Sequence, residues 1–100
     1  MYYVTYKNVL KSDKRKGDFM KWLKVYWPIQ KRWGATSIKL WNSNEGNKNV
    51  LFCRYTVKNL DHWNQGDMGP ESEALVRALG EVVDINQMSI KITIPSTPNA

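Results

Sequence analysis

Apolar and polar positions recur with two periods along the chain, and the helical period dominates residues 18–33. One face of this segment collects large apolar side chains at spacings of three and four residues: Phe19, Trp22, Leu23, Tyr26, Ile29 and Trp33. The opposite face collects basic side chains: Lys21, Lys24, Lys31 and Arg32. The pattern predicts an amphipathic helix that Asp18 caps and that Gly34 ends, because a helix C-terminus favours a residue that tolerates positive φ.

Four other segments show the two-residue alternation that is typical of β-strands. They are Tyr2–Leu10, Thr36–Trp41, Val50–Val57 and Gln87–Pro95. Residues 42–49 are dense in Asn, Gly and Ser, which predicts a polar hairpin loop between the second and third strands. Residues 96–100 are predicted to form a frayed tail.

A second helical region precedes the last strand and contains a break. Leu60–Gln65 predicts one helical turn capped by Asp61, and Gly66–Gly69 interrupts it. Pro70 suits the first position of the following helix, where its missing N–H would have no helical partner anyway. The apolar stripe of this helix is predicted to consist of Leu75, Val76, Leu79, Val82 and Val83.

The order strand, helix, strand, strand, helix, strand is that of the ferredoxin-like α+β fold. It predicts one domain over residues 1–95, with a four-stranded antiparallel sheet and both helices on one face. The helix-free face would still carry large side chains such as Phe52, Tyr55 or Trp41, depending on which face of each strand it presents. Because a large apolar patch usually marks an interface, and a two-fold contact is self-complementary, the chain is predicted to be a homodimer.

Pro28 lies inside the predicted first helix and predicts either a kink or a new helical turn at this point. Gln30 is a polar residue within the apolar stripe. One interpretation is that Gln30 satisfies the carbonyl group that Pro28 frees. The other is that it faces a small, mostly apolar pocket between the first helix and the sheet, bordered also by Trp22, Tyr26 and the His62–Trp63 turn.

Several short motifs in both halves of the chain resemble those of the dimeric α/β-barrel superfamily. In the first half they are Phe19-x-x-Trp22, Pro28, Gly34 and the strand end Lys39-Leu40-Trp41. In the second half they are Arg54-Tyr55, Leu60-x-x-Trp63, Pro70-Glu71 and Ala74-Leu75. The superfamily includes antibiotic-biosynthesis-type monooxygenases, EthD-like proteins and NIPSNAP-like proteins.

The resemblance implies a homodimer in which two sheets meet as a barrel, with a pocket between helices and sheet in each subunit. Members of known activity act on aromatic, polyketide or haem-like molecules, often without a bound metal or flavin. Haem-degrading members use an Asn on the first strand, a Trp on a strand and a His on the second helix. Asn8, Trp41 and His62 match these residue types, but Trp41 lies on a different strand and His62 comes early.

The candidate site residues combine the pocket and the resemblance. Ligand contacts are predicted for Asn8, Trp22, Tyr26, Gln30, Trp41 and Trp63. His62 is the candidate catalytic residue, because histidine is the side chain that titrates near neutrality, although a surface turn position is the alternative. No metal or cofactor is predicted, since His62 is the only histidine and Cys53, the only cysteine, lies inside a strand.

Positive charge is concentrated in the first part of the chain. The net charge is +6, and ten Lys and Arg side chains lie between Lys7 and Lys39, against Asp13 and Asp18. Such a cluster is typical of a solvated helix face, or of a surface that attracts nucleic acid, anionic membranes or acidic substrates. The single cysteine favours a reducing compartment, so the chain is predicted to be cytoplasmic, and no apolar run is long enough to span a membrane.

Two other function classes remain open at this point. The RNA recognition motif shares the strand order and stacks bases on aromatic side chains, and Tyr2, Tyr3, Tyr6, Phe52 and Tyr55 would be the candidates here. The third strand lacks the glycine and the basic-aromatic order of that motif, so nucleic-acid binding ranks second. A structural dimer without catalysis is the third reading.

Overall fold

The computed structural model of the protein describes residues 1–95, which form a four-stranded antiparallel sheet with helices packed on one face. The strands are β1 (Tyr2–Val9), β2 (Ala35–Glu45), β3 (Lys48–Val57) and β4 (Ser89–Thr93), and the helices are α1 (Lys16–Arg32), α2 (Leu60–Asp67) and α3 (Pro70–Leu79). The strand order in the sheet is β2-β3-β1-β4. The predicted ferredoxin-like α+β fold is confirmed, with three helices in place of two; the predicted tail lies outside the described residues.

Side-chain alternation along the two central strands divides the sheet into a helix-covered face and a helix-free face. On the first, Val4 of β1 lies opposite Tyr55 of β3, and both are buried in the core with α1, α2 and α3. On the second, Phe52 and Arg54 of β3 alternate with those core positions and lie beside Tyr3 of β1 or Trp41 of β2. The core-facing side chains of β1 and β3 therefore determine which face of the sheet the helices cover.

Helix α1 begins two residues before the predicted start and ends where predicted. Asp18 lies in its first turn rather than before it, and its Oδ2 accepts a hydrogen bond of 2.8 Å from the backbone N–H of Arg15. Gly34 follows the helix with a φ of 104°, which confirms the predicted stop. The helix continues through Pro28. A proline at this position leaves the carbonyl of Lys24 without its helical hydrogen bond, but both residues lie on the exposed side of the helix.

The helical region after β3 differs from the prediction in its cap and in its break. Asn59 caps α2, since its Oδ1 accepts a 2.9 Å hydrogen bond from the backbone N–H of His62; the predicted cap, Asp61, lies inside the helix. Helix α2 also includes Gly66, and the break falls at Met68 and Gly69 instead. The reason is close packing, because a Cβ atom at position 66 would lie 2.2 Å from Cγ of Trp33.

The predicted polar loop between β2 and β3 is wrong, because most of residues 42–49 pair as strands. Only Gly46 and Asn47 form the turn, and Gly46 has a φ of 65°, which a tight hairpin requires. Asn42 and Leu51 are directly opposite each other in this ladder. The polar residues that indicated a loop therefore occupy the exposed end of a long hairpin.

The end of α3 and the last strand are both shorter than predicted. Helix α3 ends at Leu79, so Val82 and Val83 follow the helix rather than extend its stripe, although both are buried. Val83 instead forms an isolated β-bridge with Leu10, just after β1. A single 3₁₀ turn then leads into β4.

Candidate functional site

A cavity of about 220 Å³ lies between the helix-covered face of the sheet and the helices. Its floor is formed by side chains of the two central strands: Tyr6 and Asn8 of β1, and Cys53 and Tyr55 of β3. Its walls come from the helices and from β4. An engineered cavity of about 150 Å³ in another protein holds benzene, so this one has room for one or two fused rings.

Helix α1 and the residue after it supply the aromatic wall of the cavity. Phe19 and Trp22 line it from the start of α1, and Trp33 lines it from just beyond the helix end. Indole Nε1 of Trp22 donates a hydrogen bond of 3.1 Å to the backbone carbonyl of Leu75 in α3, which fixes the ring. This wall is therefore held in place by its own hydrogen bond and not only by packing.

Helices α2 and α3 close the opposite side of the cavity. Trp63 of α2 packs edge-on against Trp33 with ring centroids 5.7 Å apart, and its centroid lies 5.0 Å from that of Tyr55. Asp67, from the end of α2, and Ser72 of α3 add the polar groups on this side. The remaining wall residues are apolar: Leu75, Val76, Leu79, Met88 and Ile90.

Two amide side chains border the cavity and leave an oxygen without a partner. Asn8 is 1% exposed and Gln30 is 3% exposed. Among residues 1–95, Asn8 Oδ1 and Gln30 Oε1 are the buried side-chain N and O atoms that have no hydrogen-bond partner. Leaving such an atom unsatisfied costs about 1–3 kcal/mol, so two of them at one cavity indicate a polar group missing from the chain itself.

Burial raises the pKa of each ionisable group in the cavity lining. Burial raises the pKa of the Cys53 thiol from 9.0 to about 12, against a weaker opposing effect of its hydrogen bond with Asn8. Burial also raises the pKa of the Tyr6 and Tyr55 hydroxyls well above 10.0. Partial burial raises the pKa of the Asp67 carboxyl, and among residues 1–95 no Lys, Arg or His side chain lines the cavity.

Four of the seven predicted site residues border this cavity. They are Asn8, Trp22, Gln30 and Trp63, which come from β1, α1 and α2. The Gln30 side chain is directed to the sheet, where it forms a hydrogen bond with the Tyr55 hydroxyl, rather than to the backbone near Pro28. The structure thus brings the two predicted amide residues and two predicted tryptophans to one site, and their contact with a ligand stays a prediction.

The other three predicted site residues lie elsewhere. Tyr26 is half-buried beside Trp22, with ring centroids 5.9 Å apart, and does not line the cavity. Trp41 lies on the helix-free face, stacked on Phe52. His62 is exposed near Gly34, because its position in the first turn of α2 turns the side chain away from the core. Its role in proton transfer stays a prediction that this position does not support.

Sequence reasoning missed the polar and ionisable groups on the cavity floor and at its α2 end. Tyr6, Cys53 and Tyr55 share the core side of the central strands, so strand alternation combined with the pairing of β1 and β3 would have found them. Asp67 and Ser72 gave no such signal, because they flank a segment whose composition indicated only a helix break.

Two further findings concern sites that the described residues do not form. Residues 1–95 contain no group of three or more His, Cys, Asp or Glu side chains placed to hold a metal ion. None of the helices described in that range is long and apolar enough to cross a membrane. The cytoplasmic location stays a prediction.

Comparison with known proteins gives matches in structure only. No family model matches the chain, and no curated protein matches it in sequence. Among solved structures it is similar to SnoaB, a cofactor-independent oxygenase from Streptomyces nogalater, with 13% identity and a TM-score of 0.69 over 99% of this chain and 96% of that chain.

Two other similar structures come from the groups that the sequence motifs indicated. A NIPSNAP domain protein from Burkholderia xenovorans is 13% identical, with a TM-score of 0.64 over 100% of this chain and 99% of that chain. An EthD family protein from Bacillus halodurans is 11% identical, with a TM-score of 0.63 over 96% of this chain and 100% of that chain. At this identity the likeness shows the fold alone: the chain has a ferredoxin-like fold, as these structures do, and the predicted resemblance is confirmed at the level of the fold.

Proposed function

We propose that the protein binds a small, largely apolar and planar molecule in the cavity between α1 and the sheet. The observation that carries this proposal is the pair of buried, unpartnered amide oxygens, Asn8 Oδ1 and Gln30 Oε1, at the border of an aromatic cavity. A void left by imperfect packing alone would be lined by apolar atoms, because unsatisfied polar atoms destabilise the fold and nothing compensates for their desolvation. A ligand that bonds to these atoms removes that cost.

Oxygenase-like chemistry without a bound cofactor is the reaction class that we propose for this cavity. The likeness to SnoaB supports this class, and so does the enclosure of the cavity by aromatic side chains. Asp67 is the single carboxyl in the lining and therefore the group suited to accept a proton from a bound substrate. Cys53 and the two tyrosines stay protonated at neutral pH and would act as hydrogen-bond donors.

Filling the cavity tests whether it is the binding site. Val76 lines the cavity from α3 and is half-buried, so Val76→Phe places a ring in the space with little strain elsewhere. We expect Val76→Phe to abolish the binding of a naphthalene-sized ligand measured by calorimetry. Val25→Phe, at an exposed position of α1, is the matched control and should bind normally. Equal binding by both variants would show that the ligand sits elsewhere.

We also propose that the chain forms a homodimer through the helix-free face. Trp41 is 40% exposed there and stacks on Phe52 at 5.4 Å, with ring planes 10° apart. The guanidinium of Arg54 lies 4.2 Å from the ring centre of Tyr3. These contacts form an aromatic layer, which a second copy related by a two-fold axis would cover with the same layer.

Light scattering at micromolar concentration tests the dimer. We expect about twice the chain mass for the natural protein and the monomer mass for Trp41→Glu, which places a charge within the layer. Val25→Glu, exposed on α1, should leave the dimer intact. A stable monomer of the natural chain would contradict the proposal.

Nucleic-acid binding through the sheet is the second candidate, and the positions of charge and aromatic groups disfavour it. The basic cluster of Lys21, Lys24 and Lys31 lies on the exposed side of α1, across the sheet from Trp41 and Phe52. Bases stacked on the aromatic layer would therefore place their phosphates far from this cluster. Tight RNA binding that falls in Phe52→Ala would reverse the ranking.

A further inference from the structure

The two unpartnered amide oxygens at the cavity also indicate the chemistry of its ligand. We infer that the ligand is an uncharged molecule that presents two hydrogen-bond donors, one to Asn8 Oδ1 and one to Gln30 Oε1. This inference rests on the proposed function, since it assumes that the cavity is a binding site. It makes Asn8 and Gln30 the residues that determine specificity.

Asn8 is fixed as an acceptor by its other contacts. Its Nδ2 donates to the backbone carbonyl of Leu51 at 3.1 Å and to Sγ of Cys53 at 3.5 Å. Rotating the amide by half a turn would place Oδ1 against the Leu51 carbonyl, where two acceptors repel each other. Oδ1 is therefore held as the free atom, and only a donor from outside the chain satisfies it.

Gln30 supplies the second acceptor from the opposite side of the cavity. It lies near the end of α1, buried within the otherwise apolar stripe of that helix, whereas Asn8 lies on the sheet. Its side chain lies beside the Tyr55 hydroxyl, where their hydrogen bond opposes the larger effect of burial on the pKa of Tyr55. Gln30 Oε1 itself has no partner in the part of the chain that the structure describes. A ligand held by both oxygens would span the cavity from floor to wall, with its rings between Trp22 and Trp63.

The charge of the lining excludes anionic ligands. No Lys, Arg or His side chain borders the cavity to pair with a carboxylate or a phosphate, and the carboxyl of Asp67 would repel one. The buried Cys53 thiol and the Tyr6 and Tyr55 hydroxyls are neutral at physiological pH. An anion would therefore find no counter-ion in this lining, and the atoms left without a partner are the two acceptors Asn8 Oδ1 and Gln30 Oε1.

Calorimetry on the full chain with four probes of one size tests the inference. The probes are a naphthalenediol with two donors, its dimethyl ether, unsubstituted naphthalene and naphthoate. We expect the diol to bind at least about tenfold more tightly than the ether, because the ether leaves both oxygens unsatisfied. Naphthoate should bind most weakly.

Gln30→Met assigns the preference to a residue, since methionine matches the length of glutamine and removes the acceptor. In this variant the ratio of the affinity for the diol to the affinity for the ether should fall about tenfold, and the affinity for naphthalene should stay the same. Gln65→Met, on the exposed side of α2, is the control and should keep the full preference. Asn8→Leu is the second variant, although loss of its hydrogen bond to Leu51 also lowers stability.

The outcomes separate this inference from the function beneath it. Equal affinity for the diol, the ether and naphthalene would overturn the donor requirement and leave the cavity as a binding site. Tighter binding of naphthoate than of the diol would overturn the exclusion of anions. Failure of all four probes to bind would contradict the proposed function itself.

Discussion

Both faces of the sheet carry aromatic and polar side chains, but the two faces arrange them differently. On the helix-covered face, Trp22 and Trp63 stand around a cavity, and Asn8 keeps an unsatisfied oxygen. On the helix-free face, Trp41 and Phe52 stack on each other, and a hollow on this face lies elsewhere, beside the Lys7–Glu45 ion pair. The first face has polar atoms without a partner in the chain, whereas the rings of the second pack against one another.

Charged groups repeat this contrast. On the helix-free face, Lys7 Nζ lies 2.9 Å from Glu45 Oε1, and Arg54 lies over the ring of Tyr3. The cavity on the other face has no such pair, and its lining holds a single carboxyl, Asp67. A hollow with free acceptors suits a small ligand, and an aromatic layer whose charged groups are already paired suits another protein surface.

The largest expected effect comes from two neighbours in β3 that lie on opposite faces. Leu51→Ala removes a fully buried side chain of the core and should cost about 2–5 kcal/mol of unfolding free energy. Phe52→Ala removes a half-buried ring of the helix-free face and should cost about 1 kcal/mol within one subunit. Urea unfolding at several protein concentrations measures both, and only Phe52→Ala should change the concentration dependence. Similar effects of the two variants would end the distinction between the faces.

Alkaline pH should destabilise the helix-covered face specifically. The pKa of Cys53 is about 12 in the folded chain against 9.0 ordinarily, so above about pH 9 the unfolded state releases its proton first. Stability is therefore complete below about pH 9 and falls, by a few kcal/mol, as pH rises towards 12. The raised pKa values of Tyr6 and Tyr55 act in the same direction.

Urea midpoints at a series of pH values measure this loss. In Cys53→Ala the slope of stability against pH between about pH 9 and 11 should be shallower than in the natural chain. Val25→Ala, at an exposed position, should retain the natural slope. Identical slopes in all three proteins would show that the Cys53 thiol has the same pKa in the folded and the unfolded chain.

Close packing over the cavity gives a third, smaller effect. A methyl group at Gly66 would meet the ring of Trp33, so Gly66→Ala should destabilise the fold by about 1–3 kcal/mol and weaken ligand binding. Gly17→Ala is the control, because no atom lies within 4 Å of a Cβ at that position in the first turn of α1. It should leave stability unchanged or raise it by up to about 1 kcal/mol. Thermal unfolding of both variants decides whether the contact is as tight as the structure has it.

The smallest expected effect lies on the helix-free face. Arg54→Met removes the cation from the ring of Tyr3 and should cost about 0.5–1 kcal/mol. Lys7→Met removes a surface ion pair and should cost less, about 0–1 kcal/mol, with a difference that disappears at high salt. Chemical unfolding at low and high salt compares them. A larger loss for Lys7→Met would mean that the ion pair, and not the ring contact, orders this face.

The sequence predicted those parts of the fold whose burial has a clear period. The apolar stripe of α1 and the alternation of β3 place their residues as the structure does, and Gly34 ends α1 with the positive φ expected of it. The pairing of β1 with β3 also follows from the fold class. Periodicity works here because each element buries one face against a single core.

The parts that failed depend on contacts between distant segments. The glycine at position 66 predicts a break, but Gly66 lies in α2 because Trp33, far away in sequence, occupies the space of a side chain. The predicted His62–Trp63 turn at the pocket brings only Trp63 there, since the cap at Asn59 sets the start of α2 so that the His62 side chain is exposed. The cavity was anticipated near Gln30, but its floor residues needed the register of the sheet.

The outer edge of β4 has a consequence for how the protein behaves in concentrated solution. Ile90, Ile92 and Ile94 are 52%, 48% and 72% exposed, and β4 pairs only with β1 among the described strands. An open strand edge beside a row of branched apolar side chains is a template for sheet-to-sheet aggregation. Lys91 alternates with these isoleucines along the strand, so its charged side chain lies on the other face of the sheet and does not interrupt the apolar row. Precipitation of dissociated or partly unfolded chains should therefore begin at β4, and Ile92→Lys should raise solubility without touching the core.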